Sequence, residues 1–447
     1  MTSGAAGSPE PASIPLAQLL HLTAERVGGV MQGESTTRLL ATVPAACRPG
    51  VQALLLTVLR HWGVAQLAVE RLVPRAPKRE VKALLVTALA LLNAQPAPYA
   101  PHTLVSQAVQ AAKRSERTRH SAGLINACLR EWLRQAEVWL PAWQDQPAVT
   151  ANVPDWWWTR LVQDHGPARA LQVVQHQRAA APLSLRVNAR WGDAQRLVEQ
   201  WAPHGIDAWI TGTHSVQLHR PLPVHQLPGF AQGWCSVQDW AAQQAAPLLL
   251  AGLRPSGERL RLLDACAAPG GKTAHLLELA DAQVVALEKD PVRAQRIHDT
   301  LDRLQLQAEV RVADAGEPPT WWTGEAFDGI LLDAPCTASG IVRRHPDVPW
   351  LRRATDIDGL RQQQHRLLDA LWPLLRPGGV LVYCTCSVFK AEGQAQIDAF
   401  VQRHTGAEPE AAPGHLLPRD ASQVVDLGDN EARDHDGFFY ARLRKAD

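Results

Sequence analysis

Two cysteines separated by one residue stand in the stretch "VYCTCS", residues 382–387. Cys384 and Cys386 could be half of a metal site, a redox couple, two inert core thiols, or a nucleophile with a bystander. Structural zinc sites favour cysteine pairs with about two to four residues between them, and redox couples favour C-x-x-C. The spacing therefore weighs against a metal or redox site and leaves a nucleophile and an inert pair open.

An aspartate and a further cysteine occur in "LLDAPCTASG", residues 331–340. Asp333 and Cys336 directly follow an apolar run that is typical of a buried strand. At the end of such a strand, the carboxylate and the thiol would share one pocket. We therefore expect these two side chains to belong to the same site as the cysteine pair.

A turn of small residues is expected in "DACAAPGGKT", residues 264–273. The stretch ends like a phosphate-binding loop, but Cys266 stands where that motif requires its first glycine, and no G-x-G-x-x-G follows. Nucleoside triphosphates and dinucleotides are therefore disfavoured ligands. Gly270 and Gly271 would still let another ligand approach the backbone closely.

Two acids continue this candidate ligand site along the chain. Glu288 ends the next predicted strand about twenty residues on, where an acid would hold a ribose diol. Asp314 ends the third predicted strand and could face an adenine ring. A glycine turn and a ribose acid without a phosphate loop suit S-adenosylmethionine, a nucleoside ligand that carries no phosphate.

The elements that must position these residues follow an alternating strand and helix pattern. This alternation predicts a mostly parallel sheet with helices on both faces. Ligands of such sheets bind at the carboxyl ends of the strands, where the acids and cysteines cluster. The predicted strands are residues 259–265, 283–290, 308–315, 327–336 and 378–387.

Length and composition limit the class of protein. With 447 residues, 46% of them hydrophobic and 20% charged, the chain is expected to be globular with two or three domains. Seven cysteines are too few for a disulfide scaffold, and neither a secretory signal nor a membrane span is evident. These features favour a reducing, cytoplasmic environment.

Charge is distributed unevenly along the chain. Residues 1–150 hold 15 Lys and Arg against 9 Asp and Glu, whereas the remainder holds 30 against 35. Much of the positive charge lies in residues 71–82 and 113–120. A polyanion partner would explain both stretches, and solvated helix ends would explain them equally well.

The chain is expected to contain three domains after a short tail. Apolar residues at helical spacing predict an all-helical domain over residues 15–142, and the mixed pattern that follows predicts a small α/β subdomain over 143–245. The strand and helix alternation places the α/β domain at 246–447. Residues 1–14 are small and Pro-rich and are expected to be a disordered tail.

Several long motifs resemble the RNA cytosine-5 methyltransferases. They are "DACAAPGGKT", "LLDAPCTASGIVRRHPD", "VYCTCSV" and "DGFFYARLRK". The stretches "RHWGVAQLAVERLV" and "GLINACLREWLR" resemble a NusB-like helical RNA-binding domain, and "LSLRVNAR" resembles the connecting segment. The combination is similar to the bacterial Sun/Fmu type, which modifies small-subunit ribosomal RNA, so the resemblance covers nearly the whole chain.

The resemblance implies a Rossmann-like, S-adenosylmethionine-dependent methyltransferase core and assigns roles to residues. Cys386 is the implied nucleophile, Cys336 the residue that assists product release, and Asp333 the acid beside the methyl donor and the base. Cys384 is expected to be inert. The implied cofactor-binding residues are Cys266, Ala267, Ala268, Pro269, Gly270, Gly271, Lys272, Glu288, Asp314 and Asp333.

Two positions depart from the family pattern. Glu288 stands where the family usually has Asp, and the longer carboxylate should still reach a ribose diol. Gly393 stands where Asn is common, after the glutamate that follows the nucleophile strand. This second departure puts one loop hydrogen bond in doubt.

The implied partner is 16S ribosomal RNA, free or in a partly assembled small subunit, with cytosine 967 as the target. Lys272 or Arg343 could favour the thiolate of the nucleophile. The arginines of "IVRRHPD" could either bind phosphates or be structural.

The chain is expected to be a monomer without a metal. Alternatives are the same chemistry on another ribosomal or transfer RNA site, and a non-catalytic RNA-binding assembly factor. The candidate RNA-binding residues are Lys113, Arg114, Arg117, Arg119, Arg343 and Arg344.

Overall fold

The structure, a computed structural model, describes residues 14–254, 259–418 and 434–447. The predicted tail over residues 1–14 lies outside these ranges except for its last residue. The chain divides into two compact units. The first comprises Met1–Trp158 and His345–Leu351, and the second comprises Thr159–Arg344 and Arg352–Asp447.

The first unit is helical throughout its described residues. Its central helix is buried on nearly every side, because apolar residues occupy all faces of "VKALLVTALALL". Across the described residues of the chain, no helix is both long enough and apolar enough to cross a membrane. The helices are α1 (Leu16–Val30), α2 (Thr36–Ala41), α3 (Arg48–Arg60), α4 (Trp62–Leu72), α5 (Arg79–Asn93), α6 (Pro101–Lys113), α7 (Ala122–Ala142), α8 (Pro147–Thr150) and α9 (Asp155–His165), which continues into the second unit.

A distant segment completes the first unit. Residues 345–351, which follow "IVRR" in the sequence, pack against the helices and include a short helix, Val348–Leu351. The buried Asp347 carboxylate accepts hydrogen bonds from the backbone N–H (2.9 Å) and the hydroxyl (3.0 Å) of Thr36 at the start of α2. The bonds fix this segment, because an unpaired carboxylate at this depth would be costly.

The second unit contains a small antiparallel sheet in the order β2-β3-β1-β4. Its strands are β1 (Ser184–Val187), β2 (Ala208–Gly212), β3 (Ser215–Leu218) and β4 (Cys235–Val237), and its helices are α10 (Pro167–Arg178) and α11 (Ala194–Trp201). A core that includes Leu185, Leu197 and Trp201 joins α11 to the sheet.

The large sheet of the second unit has seven described strands in the order β10-β11-β9-β8-β5-β6-β7. Five of them are parallel, whereas β10 and β11 are antiparallel at one edge. This confirms the predicted mostly parallel fold. The strands are β5 (Leu260–Ala265), β6 (Ala282–Glu288), β7 (Glu309–Val312), β8 (Phe327–Asp333), β9 (Leu375–Thr385), β10 (Ala407–Leu416) and β11 (Phe438–Lys445).

Helices flank the large sheet, so the central strands are apolar runs instead of alternating sequences. Residues 330–332 of β8 and 380–384 of β9 are fully buried. Strand order reverses beside β5, which places a ligand crevice at the carboxyl ends of β5 and β8. The helices of this unit are α12 (Ala245–Gly252), α13 (Gly271–Leu279), α14 (Pro291–Leu304), α16 (Ala354–Leu371) and α17 (Gln394–Arg403), whereas α15 (Val348–Leu351) belongs to the first unit.

A buried ion pair links the small sheet to α13. The guanidinium of Arg186, on β1, donates to both carboxylate oxygens of Glu278 at 2.9 and 2.8 Å, and both side chains are about 1% exposed. Arg186 also donates to the carbonyl of Gly271 at 2.8 Å. The small sheet therefore holds the first residue of the helix that follows the predicted ligand loop.

Candidate active site

The loop from β5 to α13 has the small residues that would let a ligand approach its backbone closely. Gly270 has a φ of +96°, and a Cβ there would lie 3.1 Å from the Cα of Ile297. A side chain at this position would therefore strain the backbone and crowd Ile297. The preceding residues are small, and the hydroxyl of Thr300 donates to the carbonyl of Pro269 at 2.7 Å. The predicted loop residues Cys266, Ala267, Ala268, Pro269, Gly270, Gly271 and Lys272 all lie in this segment or in the first turn of α13.

A buried acid lies under this loop. Asp264, on β5, accepts a hydrogen bond from the hydroxyl of Thr273 at 2.5 Å through one carboxylate oxygen. The other oxygen is buried and has no hydrogen-bond partner in the described part of the chain. Burial raises the pKa of Asp264 to about 7. An orphaned acceptor beside an open glycine loop fits a ligand that brings its own donor.

The two predicted nucleoside acids lie at the ends of neighbouring strands. Glu288, at the end of β6, is buried, and its carboxylate accepts from the N–H of Asp290 at 3.1 Å and lies 3.4 Å from the guanidinium of Arg293. Asp314, beyond β7, accepts two hydrogen bonds from Arg366 at 3.0 and 2.8 Å. Both carboxylates thus lie at the carboxyl ends of neighbouring strands, and the residues around the loop fit S-adenosylmethionine.

Arg366 was not identified from the sequence. It lies on α16, 52 residues from Asp314 in the chain. Burial, the largest single influence, would raise the pKa of Asp314, but the hydrogen bonds from Arg366 and Gly316 and the charge of Arg366 together hold that pKa below its ordinary value. Asp314 is therefore ionised at neutral pH.

Asp333 lies between a cation and a thiol. The ammonium of Lys272 approaches one carboxylate oxygen to 2.6 Å, and the thiol of Cys384 donates to the other at 3.5 Å. Burial, the largest single influence, would lower the pKa of Lys272, but the charge and hydrogen bond of Asp333 together with its other acidic neighbours outweigh burial and raise that pKa. Burial also raises the pKa of Cys384 well above its ordinary value, so this cysteine is a neutral thiol.

Two of the cysteines meet directly. The sulfur atoms of Cys336 and Cys386 are 3.4 Å apart, and both residues are partly exposed. The hydrogen bond to Cys386, with burial second, raises the pKa of Cys336 well above its ordinary value. Cys336 therefore keeps its proton and can donate it to the sulfur of Cys386. In the described residues, no group of three or more His, Cys, Asp or Glu side chains is arranged to hold a metal ion.

The sheet register explains why these two thiols meet. Asp333 and Cys384 are partners in the parallel β8–β9 pair, so the loops that follow leave the sheet at the same level. Cys336 and Cys386 lie in these loops, just beyond the strand ends. The N–H of Gly340 donates to the carbonyl of Cys386 at 2.9 Å and joins the two loops again.

Glu392, the glutamate after β9, directly precedes Gly393, where the family pattern commonly has Asn. Glu392 is fully buried and accepts hydrogen bonds from both cysteine-bearing loops. A Cβ at Gly393 would lie 2.6 Å from the ring of His415 and 2.7 Å from the ring of Phe439. An Asn at this position would therefore require these rings to move.

The two arginines after the "DAPC" motif have a different environment from the one expected. Arg343 is about 1% exposed and is surrounded by Asp239, Asp434 and Asp436. Arg344 binds Asp239 and Asp436 at 2.9 and 2.5 Å and is partly exposed. The predicted phosphate contact and thiolate stabilisation by Arg343 must be corrected, because its charge is buried and neutralised by carboxylates. The structural alternative is favoured for Arg343.

The remaining candidate RNA-binding residues lie in the first unit. Lys113, Arg114, Arg117 and Arg119 are exposed at the end of α6 and in the turn after it. Arg117 lines a cavity of about 540 Å³ together with Arg79, which belongs to the other basic stretch. The fold of the first unit thus brings the two basic stretches of the sequence to one place.

Comparisons with known proteins find similar sequences and folds. Residues 251–444 match the family described as 16S rRNA methyltransferase RsmB/F, and residues 153–225 match the RsmF/B-like ferredoxin-like domain. The chain is 42% identical over 359 residues to "Ribosomal RNA small subunit methyltransferase B" of Vibrio cholerae serotype O1, covering 77% of each chain. It is 41% identical to the protein of that name from Xylella fastidiosa strain 9a5c, covering 93% of this chain and 97% of the relative.

The crystal structure of PH0851 has the same fold. It superposes with a TM-score of 0.75 at 22% identity, covering 98% of this chain and all of the other.

Proposed function

Because the chain belongs to the 16S rRNA methyltransferase RsmB/F family, we propose that it methylates C5 of a cytosine in 16S ribosomal RNA. The same membership confirms the predicted enzyme class, an S-adenosylmethionine-dependent RNA methyltransferase, and the predicted cofactor. The observation that carries the proposed chemistry is the contact between the sulfur atoms of Cys336 and Cys386, which are 3.4 Å apart in the loops that follow β8 and β9.

Cys386 acts as the nucleophile. Cytosine C5 is a poor nucleophile, and a thiolate that adds to C6 makes C5 enamine-like. S-adenosylmethionine supplies an electrophilic methyl group on a sulfonium. Cysteine is only a few per cent thiolate at neutral pH, and a hydrogen bond from the Cys336 thiol stabilises the anion on Cys386. Loss of the C5 proton and of the Cys386 thiol then restores the aromatic ring.

Cys336 assists that last step. Its thiol proton lies within reach of the sulfur of Cys386, so the leaving thiolate can be protonated as its bond to C6 breaks. A variant without Cys336 keeps the nucleophile and loses this donor. It should therefore reach the covalent adduct and resolve it slowly.

Asp333 binds the edge of the target base. Its carboxylate accepts a hydrogen bond from the exocyclic amino group of cytosine, and Lys272, at 2.6 Å, orients it. This bond orients the pyrimidine ring for attack by Cys386. The base must leave its stack to reach the two loops.

The first unit binds the RNA backbone. Lys113, Arg114, Arg117 and Arg119 are exposed and contact phosphates, with Arg344 as a weaker candidate in the second unit. The convergence of Arg79 and Arg117 at one cavity supports this surface. We propose that the substrate is free rRNA or a partly assembled small subunit, and that the target is cytosine 967.

Bisulfite mapping of ribosomal RNA tests the proposed substrate. A strain without this protein should lose one 5-methylcytosine of 16S rRNA, and a plasmid copy of the wild type should restore it. A plasmid copy with Cys386→Ala should not restore it. An unchanged 16S pattern in the deletion strain, with a lost methylcytosine in transfer RNA or 23S rRNA, would refute the proposed substrate and favour the alternative one.

A further inference from the structure

Glu392 lies fully buried in the turn after β9 and has every acceptor position of its carboxylate filled. One oxygen accepts from the N–H of Thr337 at 2.8 Å and from the amide of Gln364 at 3.3 Å. The other accepts from the hydroxyls of Thr337 and Ser387 at 2.5 and 2.6 Å. Four donors are what a buried ionised carboxylate needs.

These donors connect the two loops that carry the reacting thiols. Thr337 directly follows Cys336, and Ser387 directly follows Cys386. The carbonyl of Glu392 accepts from the hydroxyl of Tyr383 at 2.8 Å, which ties the turn to β9. One side chain therefore bridges β8 and β9 beyond the point where their ladder ends.

We propose that Glu392 is a positioning residue, whose buried carboxylate binds Thr337 and Ser387 and thereby holds the thiols of Cys336 and Cys386 in contact. Its effect on turnover rests on the proposed function, whereas its effect on the thiol separation does not. Hydrogen bonds to a charged group are stronger than those between neutral groups. A displacement of about 1 Å between reacting groups can cost about 100-fold in rate.

The variant Glu392→Gln keeps the shape of the side chain and changes its hydrogen bonding. One acceptor oxygen becomes an amide nitrogen, which can only donate to the hydroxyls of Thr337 and Ser387. The two loops are then joined by neutral hydrogen bonds, which are roughly half as strong as the charge-assisted ones of the wild type. Glu408→Gln is the matched control, because Glu408 is exposed on β10 and far in sequence from both loops.

Oxidation by diamide measures the thiol separation without RNA. Cys336 and Cys386 give two protons and two electrons to the N=N bond of diamide, which becomes a hydrazide while a disulfide forms. Peptide mass mapping distinguishes this disulfide from pairs with other cysteines. We expect the wild type and Glu408→Gln to form it rapidly and Glu392→Gln to form it at least about tenfold more slowly.

The same variants give a second readout in single-turnover methylation. Glu392→Gln should lower the rate at saturating RNA by about 10- to 100-fold, while its Kd for S-adenosylmethionine stays within about twofold of the wild type. Crosslinking of Glu392→Gln at the wild-type rate would overturn the proposal. If the wild type methylates no rRNA, the proposed function fails, whereas the crosslinking result still decides the role of Glu392.

A milder variant covers the case in which Glu392→Gln does not fold. Thr337→Val removes one hydroxyl tether and keeps the backbone N–H. It should slow disulfide formation by about threefold or more, with a melting temperature close to that of the wild type. An unchanged crosslinking rate in Thr337→Val would then count against the proposal.

Discussion

Cys336, Cys384 and Cys386 lie near the ends of β8 and β9, and their environments differ. The thiol of Cys384 is buried and donates a hydrogen bond to Asp333. Cys386 is partly exposed, and its sulfur accepts a hydrogen bond from the thiol of Cys336. A spacing of one residue is therefore enough to separate a buried thiol from a partly exposed one, because β9 ends between them at Thr385.

The variant Cys384→Ala tests this difference. It should keep single-turnover methylation within about threefold of the wild type, since Lys272 still binds Asp333. Core truncations of this size cost about 1 kcal/mol of stability, which urea unfolding would show. A loss as large as that of Cys386→Ala would mean that Cys384 takes part in the reaction.

Asp264 makes stability depend on pH. Burial raises its pKa to about 7 from an ordinary value of 3.8, so its protonated form favours the folded state. This contribution is fully present below about pH 4 and is lost as the pH rises through about 7, at about 1.4 kcal/mol per pKa unit.

The variant Asp264→Asn cannot ionise. Between pH 5 and pH 8 its free energy of unfolding should fall by less than that of the wild type, as measured by urea unfolding without cofactor. Identical pH dependence in both proteins would mean that Asp264 is not the titrating group.

At the scale of elements, β1 and α13 are joined by one buried charge pair. Removing one partner of such a pair typically costs about 3–5 kcal/mol, because the other charge stays buried. We therefore expect Arg186→Met to lower the free energy of unfolding by that amount and to weaken S-adenosylmethionine binding, since Gly271 loses its donor.

Arg259→Met is the matched control for this prediction. Arg259 forms an exposed pair with Asp281 at 2.9 Å, and such pairs are worth below about 1 kcal/mol. Urea unfolding and cofactor titration of both variants separate the two cases. Equal losses of stability in the two variants would contradict the assigned role of Arg186.

Several elements of the site could be predicted from the sequence, because their signals are local. The acids and cysteines follow apolar runs, so the strand ends could be located within a few residues. Arg366, Arg186 and Glu392 were missed, since each acts through a partner brought close only by the fold. The burial of Arg343 was missed for the same reason, as its partners Asp239 and Asp436 are distant in sequence.

At the scale of the whole molecule, the basic stretches lie in the first unit and the thiols in the second. Substitution of Arg117 and Arg119 by Gln should weaken RNA binding across sequences. It should also reduce the salt dependence by about one unit of slope for each lost phosphate contact. The single-turnover rate at saturating RNA should not change, because neither arginine belongs to the second unit.

Arg254→Gln serves as the control for RNA binding, because Arg254 is an exposed arginine of the second unit. Filter binding at several salt concentrations measures the slopes. If Arg254→Gln weakened binding as much as the changes at Arg117 and Arg119, RNA binding could not be assigned to the basic stretches of the first unit.

The central claim is that Cys386 bonds covalently to C6 of cytosine. Trapping of the protein–RNA adduct tests it most directly. The full-length chain is incubated with 16S rRNA and S-adenosylmethionine, and denaturing gels report protein–RNA species. Cys336→Ala should accumulate such a species with a methylated cytosine in it, and Cys336→Ala combined with Cys386→Ala should form none. An adduct that accumulates in Cys386→Ala and requires Cys336 would contradict the account, because it would make Cys336 the nucleophile.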